Sequence, residues 1–295
     1  MYTTLITAQE LLALKTAGSR VMVFDCSFDL ANPAAGSEQY RSGHIPHSVY
    51  AGLDSALSDE GVIEPDGTHH PHPDAASGGR HPLPSREKFV TWLCSVGFAN
   101  DMQAVVYDRN GGVYCGRLWW MLKWAGHEAV AVLDGGLQAW QAAGGDVTDR
   151  EEPTRFQSNF ALGPELRSLV TTQAVAGALG QSGQTLIDAR AAPRFKGEVE
   201  TMDPVAGHIP GALNRPFSLN FASDGKFKSA AQLKEEFEQL LAGRDPDTVV
   251  HHCGSGVSAV PNIIAMEIAG FGATGLYAGS WSEWCSDPAR PVEKG

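Results

Sequence analysis

The chain repeats itself. Val105-Val106-Tyr107 is matched by Val249-Val250-His251, 144 residues later, and at the same spacing Val113 is matched by Val257 and Trp140 by Trp284. Between those points Leu133-Asp134-Gly135-Gly136-Leu137 runs parallel to Tyr277-Ala278-Gly279-Ser280-Trp281. Upstream, Val23-Phe24-Asp25 pairs with Leu186-Ile187-Asp188, and Gly43-His44-Ile45-Pro46 with Gly207-His208-Ile209-Pro210, at an offset of 163 to 164. The first half therefore carries about 20 extra residues, which fall within 51–84 and include His69-His70-Pro71-His72-Pro73. A long stretch rich in Gly, Pro and His reads as a solvated loop in preference to a metal site. At 295 residues the chain holds two average domains, so each copy of the pattern is one domain.

Each half alternates short β-branched runs with amphipathic stretches, the mark of an α/β domain with a mainly parallel sheet flanked by helices. In the second half strands are expected near Thr185–Ile187, Val249–His251 and Gly275–Tyr277, and helices near Thr172–Leu179, Ala230–Leu241 and Ala259–Ala269. Thr7-Ala8-Gln9-Glu10 has the form of a capping box that opens a helix. The turn-rich run from Gly144-Gly145-Asp146 to Glu151-Glu152-Pro153 reads as a connector. The expected layout is a first domain over 1–143, a linker over 144–166 and a second domain over 167–295.

Composition narrows the function. Apolar residues make up 43% and charged residues 19%, as in ordinary globular proteins. No apolar run approaches the roughly 20 residues that span a bilayer, and Met1-Tyr2-Thr3-Thr4-Leu5 lacks the basic-then-apolar pattern of a secretory leader. A net charge of −12 makes nucleic acid and anionic membranes poor partners. The five cysteines are odd in number and scattered, and none forms a C-x-x-C pair. That argues for a reducing, cytoplasmic setting and against a disulfide framework or a zinc site; no metal and no cofactor are expected.

The run His251-His252-Cys253-Gly254-Ser255-Gly256-Val257-Ser258 carries the chemistry. An apolar strand leads into it and an Ala-rich helix leads out. A strand, a Gly-rich turn and a helix start together aim backbone N–H groups at one spot, forming an anion cradle. A cysteine placed there is set up to react as its thiolate.

Both Gly-His-Ile-Pro blocks, Trp119-Trp120 after Arg117, Asp134-Gly135-Gly136, the Cys253 loop and Gly279-Ser280-Trp281-Ser282-Glu283-Trp284 form an ordered set along the chain. In these the chain resembles a tandem-domain rhodanese-type sulfurtransferase over nearly its whole length. The resemblance implies two rhodanese-like domains, of which only the second keeps the nucleophile. The matching first-half position is Arg109, in Tyr107-Asp108-Arg109-Asn110-Gly111-Gly112, so the first domain is expected to be inactive, and Cys115 reads as a packed helix residue. The implied reaction is ping-pong. Cys253 takes sulfane sulfur from a small anionic donor as a persulfide and passes it to a thiophilic acceptor such as cyanide, a thiol or a protein thiol. The amides from Gly254 to Ser258, Val257 included, would hold the added sulfur, and Gly254 and Gly256 would let the turn close tightly.

Gly254-Ser255-Gly256 resembles the mercaptopyruvate-using branch, because thiosulfate users carry basic residues after the cysteine. In that branch a Ser-His-Asp set is implied at Ser255, His81 and Asp54, to move a proton to the enolate leaving group. Two arginines are implied to grip the donor carboxylate. Arg194 matches the first, but no arginine occurs between Gly197 and Gly207, where the second is expected. Arg190 reads as a structural ion pair. Thiosulfate is the alternative donor, and a non-catalytic sulfur-carrier module is a further alternative. A Cys-dependent phosphatase would need an arginine ending the loop, and none occurs through Pro261.

Overall fold

A computed structural model describes residues 1–59, 61–63, 69–70 and 72–295, with backbone alone at 62–63 and 69–70. Much of the His/Pro-rich stretch, Pro71 and the side chains of His69 and His70 included, thus lies outside the described residues. The chain divides into two compact units. The first comprises Met1–Ser58, Pro84–Leu166 and Ser223–Phe227; the second comprises Asp59–Leu83, Arg167–Ala222 and Lys228–Gly295.

The first unit contains β1 (Leu5–Ile6), α1 (Ala8–Thr16), β2 (Val21–Asp25), α2 (Ala34–Ser42), β3 (Val49–Tyr50) and α3 (Leu53–Ala56). After the short strands β4 (Val62–Ile63) and β5 (His69–His70) of the second unit, it continues with α4 (Arg86–Ser95), β6 (Gln103–Tyr107), α5 (Cys115–Trp124), β7 (Val130–Leu133) and α6 (Gly136–Ala142). Its strands lie in the order β1-β7-β6-β2-β3, all parallel. The capping box forms as read: the Glu10 N–H donates to Thr7 Oγ1 at 3.2 Å, and the Thr7 N–H to Glu10 Oε2 at 2.8 Å.

The second unit contains α7 (Thr172–Gly177), β8 (Thr185–Asp188), α8 (Ala192–Phe195), β9 (Leu213–Asn214), α9 (Ala230–Leu241), β10 (Val249–His252), α10 (Val260–Ile268), β11 (Gly275–Leu276) and α11 (Ser280–Trp284). Its order β11-β10-β8-β9 reproduces β7-β6-β2-β3, again all parallel. The edge strand β1 survives here as a single parallel bridge, Leu169 to Leu276. The expected elements are present with small shifts at their ends. The first helix stops at Gly177 rather than Leu179, and the last strand at Leu276. Tyr277 still donates its N–H to His251 O at 2.9 Å, so the ladder runs on towards the loop.

Both Gly-His-Ile-Pro blocks turn out to be structural. In each, the isoleucine is fully buried. His44 stacks on Tyr40 with ring centroids 4.0 Å apart, and its Nδ1 meets Tyr40 O at 2.7 Å. His208 stacks on Phe195 at 3.7 Å, with Nδ1 2.8 Å from Phe195 O. Each histidine backbone also forms an antiparallel bridge, His44 with Thr148 and His208 with Glu293, fastening the C-terminal tail of its unit. His208→Ala is expected to destabilise the protein by about 1–3 kcal/mol through the lost stack and hydrogen bond. Urea unfolding followed by tryptophan fluorescence checks this; an unchanged midpoint would show that the stack contributes nothing.

Candidate active site

Cys253 follows the last residue of β10, at the carboxyl end of a central parallel strand, where open α/β sheets present their sites. It is 1% exposed. Its N–H donates to Ser280 Oγ at 3.0 Å, and that hydroxyl donates to Tyr277 O at 3.0 Å. Two further bonds sew the loop to α11: Trp281 N–H to Cys253 O at 3.0 Å, and Ser282 N–H to Gly254 O at 2.9 Å. Ser280 achieves this in a left-handed conformation, φ 55°, which few side chains adopt. Nothing in the sequence pattern marked Ser280 as more than a family position.

The loop closes tightly. Gly256 has φ +75°, and a Cβ there would lie 2.2 Å from Ala278 O, so only glycine fits. Among the described residues, the N–H groups of Gly254, Ser255, Val257 and Ser258 meet no protein acceptor. Unpartnered donors in the turn after a cysteine are what an added negative sulfur could use. The two histidines before Cys253 are held uncharged by burial: His251 is pushed down to about 3, and His252 also falls below the usual imidazole range. They are therefore unable to supply protons at neutral pH.

The first unit shows the same loop filled. The Asp108 carboxylate accepts four N–H bonds, from Asn110 and Gly112 at 2.8 Å, Tyr114 at 2.9 Å and Cys115 at 3.0 Å. Arg109, at the position of Cys253, turns away to pair with Asp25 at 3.0 Å and to donate to Ser27 Oγ and Gly43 O. Cys115 opens α5 fully buried, and desolvation pushes its thiol well up, as it does for Cys26.

In the second unit Arg190 makes the contacts that Arg109 makes in the first. It binds Asp188 through Nε at 3.0 Å and Nη2 at 2.7 Å, donates to Gly207 O at 2.7 Å and covers the Trp281 ring at 4.8 Å. The expected structural ion pair is what forms. Arg194, on α8, gives Nη2 to Glu200 Oε1 at 2.8 Å and to Asp203 Oδ2 at 3.1 Å. Burial works to raise the Glu200 carboxyl, but hydrogen bonds from Arg194 and from the Met202 N–H outweigh it and leave it below the usual range.

Residues 78–83 bring two more groups to this unit. His81 Nδ1 lies 2.7 Å from Ser255 Oγ, both buried. Arg80, which sequence reading missed, donates to Asp203 and stands over the loop. A Cβ built on Gly254 would lie 3.1 Å from Arg80 Nη2 and 3.6 Å from Arg194 Nη1. A side chain at Gly254 would therefore crowd the Arg80 guanidinium. Asp54 lies on α3 in the first unit, partly buried.

Fold and loop together define a tandem α/β protein with one cradled cysteine. The Rhodanese-like domain family matches residues 7–143 and 171–287. The chain belongs to the rhodanese family. A Pseudomonas aeruginosa protein named "Probable 3-mercaptopyruvate sulfurtransferase" is 43% identical over 99% of this chain and 98% of that protein. A Mycobacterium tuberculosis protein provisionally named a thiosulfate sulfurtransferase is 38% identical over 99% and 97%. The solved 3-mercaptopyruvate sulfurtransferase from Leishmania major superposes with a TM-score of 0.78 at 28% identity, covering 96% of this chain and 74% of that one.

Ser280→Ala is expected to cost about 1–2 kcal/mol of stability, since it loses the bond to the Cys253 N–H and keeps the left-handed conformation. Ser280→Gly relieves the conformation and is expected to cost less. Equal losses in chemical denaturation would show that backbone conformation contributes nothing here.

Proposed function

We propose that this chain is a sulfurtransferase that takes sulfane sulfur from 3-mercaptopyruvate, through a persulfide on Cys253, to cyanide, a thiol or a protein thiol. The observation that carries the reading is the contrast between the two loops: among the described residues, the N–H groups of Gly254, Ser255, Val257 and Ser258 after Cys253 have no protein acceptor, while the matching loop of the first unit is filled by Asp108. The names of the Pseudomonas aeruginosa and Leishmania major relatives support the donor.

In the proposed first step the Cys253 thiolate attacks the donor sulfur. The carbon–sulfur bond breaks, its electron pair passes to the pyruvate enolate, and protonation gives pyruvate. The Ser255 hydroxyl, hydrogen-bonded to His81, is placed to move that proton, as the uncharged His251 and His252 are not. In the second step the acceptor attacks the outer sulfur and Cys253 leaves as thiolate, which is why the same group must be a good nucleophile and a good leaving group. The amides of the loop hold the persulfide without any side chain. Arg194 takes the donor carboxylate.

The nucleophile falls in one repeat, with an inactive domain over 1–143, a linker over 144–166 and the active domain over 167–295, to whose loop His81 comes from the stretch that breaks the repeat. All five cysteines are free thiols, which fits a reducing compartment and a cytoplasmic placing; no helix among the described residues is long and apolar enough to cross a membrane.

Cys253→Ser is expected to abolish turnover with the fold intact, and retained turnover would sink the assignment. Mixing with mercaptopyruvate is expected to add one sulfur by intact mass, on Cys253 and not on Cys94, Cys115 or Cys285. Arg194→Ala is expected to raise KM and lower kcat/KM by about tenfold, the loss of one charged hydrogen-bonding group. A higher kcat/KM for thiosulfate than for mercaptopyruvate would favour the donor in the name of the Mycobacterium tuberculosis relative.

A further inference from the structure

We propose that the surface formed by Val199, Met202 and Val205 is the docking face for a protein acceptor that presents a reactive cysteine among apolar residues; this rests on the reading of Cys253 as a sulfur-carrying cysteine. The segment between Gly197 and Gly207 is folded inside out. Its acids point inward: the Glu200 and Asp203 side chains are only 4% and 2% exposed, held by Arg194 and Arg80. Its large apolar side chains point outward: Val199 is 50% exposed, Met202 40% and Val205 36%. Pro204, between them, is exposed as well. A loop that meets only water does the reverse, leaving carboxylates in solvent and turning valine and methionine in.

Exposed apolar residues standing singly are ordinary, but three within seven positions of one loop make a patch. The inward acids account for positions 200 and 203 alone. Thr201, exposed beside Met202, shows that a polar side chain fits on the outer side. The loop is also fixed in place. Val199 N–H donates to Pro193 O at 3.3 Å, and the N–H groups of Met202 and Asp203 share Glu200 Oε1 at 2.8 Å and 3.1 Å. Trp281 Nε1–H donates to Val205 O at 3.0 Å. A partner that lies on this surface therefore has little ordering left to do.

The same bonds set the patch beside the nucleophile. Met202 O accepts from Arg80 Nη1 at 3.4 Å, and Arg80 Nη2 stands 3.1 Å from where a Cβ of Gly254 would be, one residue after Cys253. Trp281, bound to Val205 O through its ring, donates its backbone N–H to Cys253 O at 3.0 Å. The Arg80 and Arg194 side chains are 21% exposed, so solvent reaches the loop from this side. A permanent cover here, such as a second copy of the chain, would stand over the entrance that a small donor has to use. The occupant has to come and go, and to have business at Cys253. Within the proposed cycle a protein acceptor meets both conditions: it has a surface to lay on the patch and a cysteine to bring to the sulfur. That cysteine gives its proton to solvent, and its thiolate attacks the outer sulfur of the Cys253 persulfide. The sulfur–sulfur bond breaks, its electron pair returns to Cys253, and the acceptor leaves as a persulfide. Cys253 is 1% exposed, so the attacking cysteine must be carried into the mouth, and apolar residues flanking it are what the patch would bury.

The experiment separates docking from chemistry. Cys253 is loaded with mercaptopyruvate, or with thiosulfate if that donor fails, and sulfur release is timed with three acceptors. These are cyanide, a short peptide with one cysteine between leucines, and the same peptide with serines in place of the leucines. Wild type is compared with the double variant Val199→Thr, Met202→Gln, which keeps shape and charge and removes apolar surface. Wild type is expected to pass sulfur to the leucine peptide about tenfold faster, in kcat/KM, than to the serine peptide, and the double variant to lose most of that preference. Cyanide, too small to need the patch, is expected to react equally with both proteins. Should the double variant not fold, each single variant carries the same test. No preference in wild type, a preference that survives in the variants, or an equal loss with cyanide would overturn the docking role. A wild-type dimer that dissociates in the double variant, read by light scattering, would give the patch to a second copy and overturn it too. If neither donor places sulfur on Cys253, the sulfurtransferase reading fails and the docking role with it. A persulfidated enzyme indifferent to the leucines condemns the docking face alone.

Discussion

A buried carboxylate at the end of each central strand governs what either half can do. Asp25 and Asp188 are both fully buried and each requires a guanidinium partner, since an unpaired charge there would cost several kcal/mol. In the second unit Arg190, two residues beyond Asp188, meets that demand and also reaches Gly207 O. In the first unit the demand is met by Arg109, which reaches Gly43 O in the same way. Arg109 stands where the other half has Cys253. The half that balances its carboxylate from the next turn of chain can place sulfur in the loop; the half that balances it from the loop cannot. Asp108 then fills the donors that would otherwise lack a partner.

Around Cys253 the same economy of buried polar groups produces a prepared site. Loop amides are held open by bonds from α11 to Cys253 O and Gly254 O, and by the Ser280 hydroxyl. Burial keeps the two strand histidines neutral, and the guanidinium groups of Arg80 and Arg194 stand above Gly254, the residue after the cysteine. Those arginines are oriented by acids and not by each other, which leaves one edge of each directed at the loop.

Much of this was legible in the chain. The repeat, read from Val-Val and Gly-His-Ile-Pro matches, foretold two like domains, and the alternation of β-branched runs with amphipathic stretches foretold a mainly parallel sheet in each. Cys253 stood out because a glycine-rich turn between a strand and a helix can aim backbone N–H groups at one spot, and here a cysteine stands at its start. The ion pair of Arg190 followed from its place just after Asp188. Arg80 and Ser280 escaped for different reasons. Arg80 lies in the stretch that breaks the repeat, so no partner in the other half pointed to it, and 174 residues separate it from Gly254. Ser280 matters through its backbone angle and its hydroxyl's direction, and neither is written in residue type.

By itself the sequence determined the architecture of two α/β domains and singled out Cys253, with Arg109 at the matching position of the first repeat, because these depend on periodicity and on residue identity at aligned positions. Only the tertiary structure decided which side chains surround the sulfur. That choice depends on where residues 78–83 run across the second unit and on which N–H edges remain unspent once buried charges have been paired. Those are properties of three-dimensional proximity, and residues far apart in the chain meet there without any local signal.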